Sequence, residues 1–263
     1  MIAIIAALTD EIADFLAQGR FRETVGTDGN RCFESTSERD VAVVAGGIGR
    51  ERAELATRLA IERYEPDLVI SAGFAGAVRR GFSTGDIVLC DRVWSLEGPR
   101  EGWSRDSARS LGVREGASDS GLANVLEEMR PQPKRADCLS VPRLIADSRT
   151  KEWIGTQLPV ELIDMEAFWV CQTAARYDAA TIVVKSVFDP VEQTLPPSVA
   201  QLAGSGAVAR WRAALAIALS RPGQIPGLVR LAGQAAAARR ALALSLCAIA
   251  SRESYRAISR LEA

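Results

Sequence analysis

The sequence predicts an α/β layered fold, and three observations carry that prediction. Short runs rich in Val and Ile, apolar on both faces, recur along the chain; stretches with one apolar side stand between them; and each run closes on Gly, Asp or a polar turn. A strand dispenses with polar alternation when helices cover both of its faces, so these runs are expected to be strands of a buried, helix-flanked sheet.

In chain order the expected strands are IAIIAAL at 2–8, VAVVAG at 41–46, DLVISAG at 67–73, DIVLC at 86–90 and TIVVKSV at 181–187. Residues 49–64 read as a helix with Ala53, Leu55, Ala56, Leu59, Ala60 and Tyr64 on one side. Residues 164–177 read as a second, with Phe168, Cys171 and Ala175 inward and Asp164 as its N-cap. Between 92 and 137 the pattern dissolves into Gly, Ser, Arg and Trp, which predicts loops and hairpins that line a site, with one helix near 119–129. Beyond Pro196 and Pro197 the chain turns to Ala, Leu and Arg, interrupted by RPGQIPG at 221–227. One helix to about Ser220 and another from about Gly227 to Arg252 are expected.

The chain has 263 residues, 48% apolar and 25% charged, enough for one large or two small domains with a buried core. It contains no histidine. Ser-His-Asp and Cys-His nucleophile systems and His-ligated zinc or iron are therefore excluded, and proton transfer falls to carboxylates, Lys, Tyr or Cys. The five cysteines, Cys32, Cys90, Cys138, Cys171 and Cys247, are scattered and never form CxxC. They read as small core fillers in a reduced compartment, with neither a disulfide framework nor a thiolate metal site. The opening MIAIIAAL has no basic leader and runs straight into Thr9, Asp10 and Glu11, so it reads as a first buried strand and not as a signal peptide. No uncharged apolar run approaches the ~18–20 residues of a spanning helix, and a cytoplasmic protein, at most peripheral on the inner face of the cytoplasmic membrane, is expected. Charge is uneven: the net charge is -1, yet residues 207–252 hold seven arginines and no acid.

Four segments can carry chemistry. VAVVAGGIGRERA ends a buried strand on Gly46, Gly47 and Gly49 and opens a helix, where bare backbone and a helix N-terminus favour electronegative groups. It is not GxGxxG, and no acidic residue is spaced for a dinucleotide ribose. DLVISAGFAGAVRRGFSTGDIVLC closes a strand on Gly73 and Gly76. ELIDMEAFWVCQTAA sets Glu166 one turn into a helix, and VVKSVFDPVEQTLPP ends a buried strand on Asp189 before a proline.

In this order and at these separations, the four segments resemble the purine nucleoside phosphorylase superfamily, and most closely its methylthioadenosine/S-adenosylhomocysteine nucleosidase-like branch. The likeness covers about residues 1–220, with Met165-Glu166 and Asp189 as its specific part. It implies a three-layer phosphorylase-like fold with a mixed central sheet flanked by helices, extended by C-terminal helices over 221–263. It also implies homo-oligomers and no metal or cofactor. IIAALTDE stands where the family has IIGAMEEE, which puts Glu11 in the role of orienting the attacking water. Glu166, with Met165 beside it, stands where the family grips the ribose hydroxyls, and Asp189 where it donates a proton to purine N7. SVPRLI at 140–145 stands where a loop covers the base, so Leu144 and Ile145 join Phe188, Gly73 and Phe74 as base contacts; Gly47 and Lys185 fall on the nucleophile side.

The residue types suit this chemistry by themselves. Cleaving a purine N-glycosidic bond builds positive charge on the ribose and negative charge on the base, which calls for anionic acceptors at the sugar and an acid at the base. Asp189 needs desolvation to hold a proton near neutral pH, and Val187, Phe188 and Pro190 are apolar. Departures from the family also matter. Phosphate-using members carry Arg and Ser where this chain has Ser71 and Phe74, which favours water as nucleophile. The family Arg four residues before the aspartate is Lys185, and the usual Ser before it is Phe188.

The segment DPVEQTLPP followed by SRPGQIPGLVRLAGQAAAARRAL resembles one subgroup, the hopanoid-associated nucleoside phosphorylase/nucleosidase of bacteria, and implies release of adenine from adenosylhopane. A helix bearing Leu228, Val229, Leu231, Leu242, Leu244, Leu246 and Ile249 among arginines suits an anionic membrane surface. The alternative is that the same face packs on the core or on a second subunit. With few aromatics and no recognisable module, the tail is not expected to bind nucleic acid. Two further readings stay open: a methylthioadenosine/S-adenosylhomocysteine nucleosidase, and, in another class, a non-catalytic nucleoside-binding or membrane-associated scaffold.

Overall fold

The computed structural model describes residues 1–37, 40–96, 102–113, 129, 131–196 and 225–251, without the side chains of 225, 226 and 228. Ten strands are described: β1 (Ile2–Ala6), β2 (Phe21–Thr24), β3 (Arg31–Ser35), β4 (Val41–Ala45), β5 (Leu68–Ala77), β6 (Ile87–Ser95), β7 (Arg109–Gly112), β8 (Lys134–Ser140), β9 (Leu162–Asp164) and β10 (Ala180–Asp189). With them stand a 3-10 turn (Thr9–Ile12) and five helices: α1 (Ala13–Gln18), α2 (Arg50–Tyr64), α3 (Ser148–Gln157), α4 (Ala167–Arg176) and α5 (Ile225–Ile249).

All ten strands belong to one mixed sheet. Its open wing runs β5-β1-β4-β3-β2, and its other part closes on itself: β5 pairs β9, β9 pairs β8, β8 pairs β6, β6 pairs β10, and β10 returns to β5. The closure rests on the two ten-residue strands. The first half of β5, Leu68–Ser71, lies between β1 and β10, while its end, Gly76 and Ala77, pairs with β9 where β1 has stopped. The small residues of LVISAGFAGA let the strand curl there. Near the end of β10 a bulge leaves Phe188 without a partner: Val187 pairs Ala75 and Asp189 pairs Gly76.

Helices cover both faces, completing three layers. Ala53, Ala56 and Ala60 of α2 and Phe168, Val170 and Cys171 of α4 pack on one side with Val69, Val88 and Val183. Ile12, Phe15 of α1 and Leu242, Leu246 and Ile249 of α5 pack on the other with Ile4, Val43 and Ile70. α3 adds Ile154 to a smaller cluster with Leu139, Val141 and Ile163.

The five expected strands are all present, but β6 runs on to Ser95. Asp91 and Arg92 are exposed, which ends the two-sided apolar pattern without ending the strand. The β2/β3 hairpin, β8, β9 and α3 were not expected from the pattern, because β2 is polar and half-exposed, β8 opens on Lys134 and Arg135, and β9 spans three residues. The helix expected near 119–129 lies outside the described residues except for Met129; the helix to about Ser220 and the boundary at residue 220 lie wholly outside them.

α5 is part of the main core. Of the residues expected to form a membrane face, Leu231, Leu242, Leu246 and Ile249 are buried, while Val229 and Leu244 are exposed. Arg239 pairs with Asp14 of α1 at 2.7 Å. Gln234 exchanges amide hydrogen bonds with Gln193 at 2.9 and 2.7 Å and donates to Thr84 Oγ1 at 3.2 Å. Among the described residues no helix is long and apolar enough to cross a membrane. Truncating Leu246, which is fully buried, to Ala is expected to cost about 2–5 kcal/mol in chemical denaturation. Leu244→Ala, at 59% exposure, should change stability by less than about 0.5 kcal/mol. Equal effects of the two would show that α5 does not pack as described.

Candidate active site

Where β1 ends, the backbone N–H groups of Gly46 and Gly47 bond the carbonyls of Ala6 and Ala7, so β4 steers the chain into the 3-10 turn. That turn carries Glu11 inward. Its Oε2 accepts the Leu8 N–H at 3.2 Å and its Oε1 the Phe74 N–H at 3.4 Å.

Glu166 stands at the N-cap position of α4, not one turn inside the helix as expected. Its Oε1 accepts the Gly49 N–H at 2.8 Å and its Oε2 the Met165 N–H at 3.3 Å. Gly49 has φ 91°, a left-handed conformation strained for any side chain, and this aims its N–H across the cleft from the start of α2. The capping hydrogen bond expected of Asp164 is made all the same, from two positions earlier: its Oδ2 accepts the Ala167 N–H at 2.8 Å.

Lys185 of β10 completes the cluster. Its Nζ lies 2.8 Å from Asp164 Oδ2, both side chains being essentially buried. Asp164 Oδ1 accepts the Ser140 hydroxyl at 2.6 Å, and Ser140 Oγ in turn accepts the Phe168 N–H at 2.9 Å. Glu11, Glu166, Lys185, Gly47, Gly73 and Phe74 line one cavity, with Ser71 in its wall.

The charges are tightly balanced. Burial pushes the Glu166 carboxyl up to about 8; Asp164 and Glu11 add to the rise, against Lys185 and the Gly49 N–H. Burial likewise raises Glu11, opposed chiefly by Lys185. For Lys185, burial alone works against the ammonium, but Asp164, Glu166 and their neighbours outweigh it and raise its pKa. The cleft therefore holds a protonated lysine committed to Asp164 and two carboxyls that lose their protons reluctantly.

Asp189 does not line that cavity. It is 4% exposed, at the end of β10, with Oδ2 2.7 Å from Nζ of the fully buried Lys151. Burial raises its pKa and Lys151 opposes the rise. A Cβ on Gly76 would sit 3.1 Å from Asp189 Oδ1, and one on Gly73 3.2 Å from Glu11 Oε2. β5 thus brings bare backbone up to each carboxylate, at positions about 10 Å apart along the strand and on alternate faces of it.

Among the other expected contacts, Phe188 stacks on Phe74, ring centroids 5.8 Å apart and planes 11° from parallel. Phe74 thereby joins the cavity wall to the Asp189 end. Met165 and Ile145 pack at the edge of the cluster around Ile163 and Leu139, and Leu144 is half-buried in the segment before α3. Asp164, Ser140 and Lys151 were not singled out as site residues. One signal was present for the first: Lys185 is a charge in a strand buried on both faces, which demands a counter-charge.

The sequence model of the phosphorylase superfamily matches residues 1–219. A 5'-methylthioadenosine/S-adenosylhomocysteine nucleosidase of Staphylococcus epidermidis is 27% identical over 167 residues, 58% of this chain and 70% of that protein. One of Staphylococcus aureus is 25% identical over 158 residues, 58% of this chain and 69% of that protein. Among solved structures, native futalosine hydrolase of Helicobacter pylori superposes with a TM-score of 0.71 at 15% identity, covering 94% of this chain and 96% of that one. The methylthioadenosine/S-adenosylhomocysteine nucleosidase of Neisseria meningitidis in complex with methylthio-immucillin-A does so at 0.69 and 16%, covering 94% and 97%.

The raised Glu166 pKa carries a stability consequence. Between its ordinary value of 4.5 and about 8 the folded chain holds a proton that the unfolded chain has lost, so this contribution is full below 4.5 and vanishes as pH rises through 8. The melting temperature is expected to fall from about pH 5 to about pH 9, and to fall less steeply in Glu166→Gln. An unchanged slope in the variant would mean that Glu166 is ionised in the folded protein.

Proposed function

The chain belongs to the phosphorylase superfamily, and with it to the enzymes that cleave the N-glycosidic bond of nucleosides; from that premise we propose that it releases adenine from adenosylhopane, with water as the nucleophile. The observation that carries the reading is the convergence of Glu11, Glu166 and Lys185 on one cavity, with Asp189, at the end of β10, set against Gly76 of β5.

In the proposed reaction Glu166 accepts hydrogen bonds from the ribose hydroxyls, close to where positive charge grows as the bond to the base lengthens. Glu11 takes a proton from the water that attacks the anomeric carbon, and its raised pKa makes it a better base near neutrality than an ordinary carboxylate. Asp189 gives its proton to purine N7, and its burial supports a protonated acid. The stacked Phe74 and Phe188 offer the base an apolar seat between the two ends.

Water is favoured over phosphate on electrostatic grounds. Among the described residues lining the cavity, Lys185 is the one cation, its charge already taken by Asp164, while Glu11 and Glu166 face inward. A phosphate would find its one cation among those residues already engaged. The extended hopanoid substrate rests on the likeness of residues 189–197 and of the arginine-rich tail; Val229 and Leu244, exposed on α5 with Arg230 and Arg240, are the groups left to meet an anionic membrane there. The second reading, a methylthioadenosine/S-adenosylhomocysteine nucleosidase, is favoured by the staphylococcal relatives.

Incubation with adenosylhopane and with methylthioadenosine, each with and without phosphate, is expected to release adenine from the first and leave an unphosphorylated sugar. A phosphorylated sugar overturns water as nucleophile, preference for methylthioadenosine selects the second reading, and no adenine from either leaves a binding protein. Asp189→Asn should bind adenine nucleosides yet lose about 10²–10⁴-fold in turnover; wild-type activity would remove Asp189 from the mechanism. Flotation with anionic liposomes at low salt is expected, and a protein that stays at the bottom refutes the membrane contact.

A further inference from the structure

Among the described residues, Lys151 and Lys185 are the two fully buried lysines, and the cavity accounts only for the second. The Lys151 side chain is 0% exposed, and its Nζ donates to Asp189 Oδ2 at 2.7 Å and to the Pro190 carbonyl at 2.8 Å. Burying an ammonium is costly unless oxygen acceptors meet it, and here they are the carboxyl group at the end of β10 and the Pro190 carbonyl. The helix that carries Lys151 is fastened for the purpose. Asp147 caps α3 by accepting the Thr150 N–H at 2.9 Å and the Thr150 hydroxyl at 2.8 Å. The Leu195 N–H bonds the Ala146 carbonyl at 2.9 Å, and Thr194 bonds Ser148 at 2.9 Å, so the stretch after Asp189 is stitched to the start of α3.

We propose that Lys151 is the positioning residue of the acid: by holding Oδ2 it turns Oδ1 toward the bare backbone of Gly76 as the oxygen that carries the transferable proton, and it compensates the charge that Asp189 acquires when that proton leaves. The inference rests on Asp189 being the acid. As the glycosidic bond breaks, its electron pair passes to the purine, the proton of Asp189 goes to N7, and the carboxylate left behind faces an ammonium already in place. Water closes the sugar side and gives its proton to Glu11; Asp189 recovers a proton from solvent when adenine leaves.

The groups packed around Asp189 leave this task to Lys151. β5 brings up bare Gly76, with Ile163 of β9 beside that glycine, the chain on either side is Phe188 and Pro190, and among the described residues Lys151 is the one charged group acting on Asp189. Burial alone would leave an acid that holds its proton too firmly to part with it; the ammonium opposes that rise.

The test is a double-mutant cycle read with pH profiles of adenine release, from whichever nucleoside the wild-type enzyme turns over. Activity requires protonated Asp189, so the wild-type rate falls as pH rises through its pKa. Lys151→Met is expected to lower the plateau by about 10–100-fold and to move the descending limb to higher pH, while Lys151→Arg, which keeps the charge, leaves the limb in place. In the Asp189→Asn background Lys151→Met should cost almost nothing more. A lower plateau with an unmoved limb, or losses that multiply in the double variant, overturns the role of Lys151. A fully active Asp189→Asn overturns the acid itself, and so the two failures are distinguishable. Circular dichroism checks that each variant folds; should Lys151→Met not fold, Lys151→Gln takes its place with the same expectations.

Discussion

The buried ion pair between Lys185 and Asp164 is the constraint on which the rest of the site depends. Two charges removed from water are tolerated only when each meets the other and the remaining polar valences are filled. Here Asp164 also accepts from Ser140 and from the first N–H of α4, and Ser140 accepts the next. One carboxylate thereby locks the ends of β8 and β9, the middle of β10 and the start of α4 into a single arrangement. Glu166 is held at the mouth of α4 as a result, and its raised pKa follows first from burial and then from the Asp164 charge beside it.

A second ion pair of the same kind, between Lys151 and Asp189, lies on the far side of the bulge. In register with β5, Lys185 stands opposite Gly73 and Asp189 opposite Gly76, and Phe188 is the surplus residue between them. The surplus residue shifts the alternation of β10 and sends Asp189 toward α3, while Lys185 stays with the cleft below α4. Two carboxylate stations of different character result. One is crowded with acids around one lysine; the other is a single acid with a single base.

The fold was legible where burial was two-sided. Strands such as VAVVA and TIVVKSV have no polar face to confuse them with anything else, and the alanine stripe of α2 follows from its spacing. Elements with one wet face or few residues were not legible, as β2, β8 and β9 show. In the site, Glu166 was legible from its place between an apolar run and a helix, while Glu11 was picked out only by the family resemblance of IIAALTDE; the structure sets both on one cavity. Asp189 was found through the same logic, but its separation from that cavity was not, because a bulge leaves no mark in the one-dimensional pattern. Lys151 was invisible for a simpler reason: on a helix, a charge that points inward looks the same as one that points out until the neighbouring strands are known.

The closed half of the sheet has one more effect. Because β10 returns to β5, the described strands of that closed path each have a neighbour on both sides and offer little unpaired backbone to a second chain. At the end of the open wing the margin is β2, four residues long, with Arg22 and Glu23 exposed at its centre. A margin so brief and so highly charged is a poor template for strand addition, so a chain rich in Val and Ile runs carries built-in resistance to fibril-like association along that border.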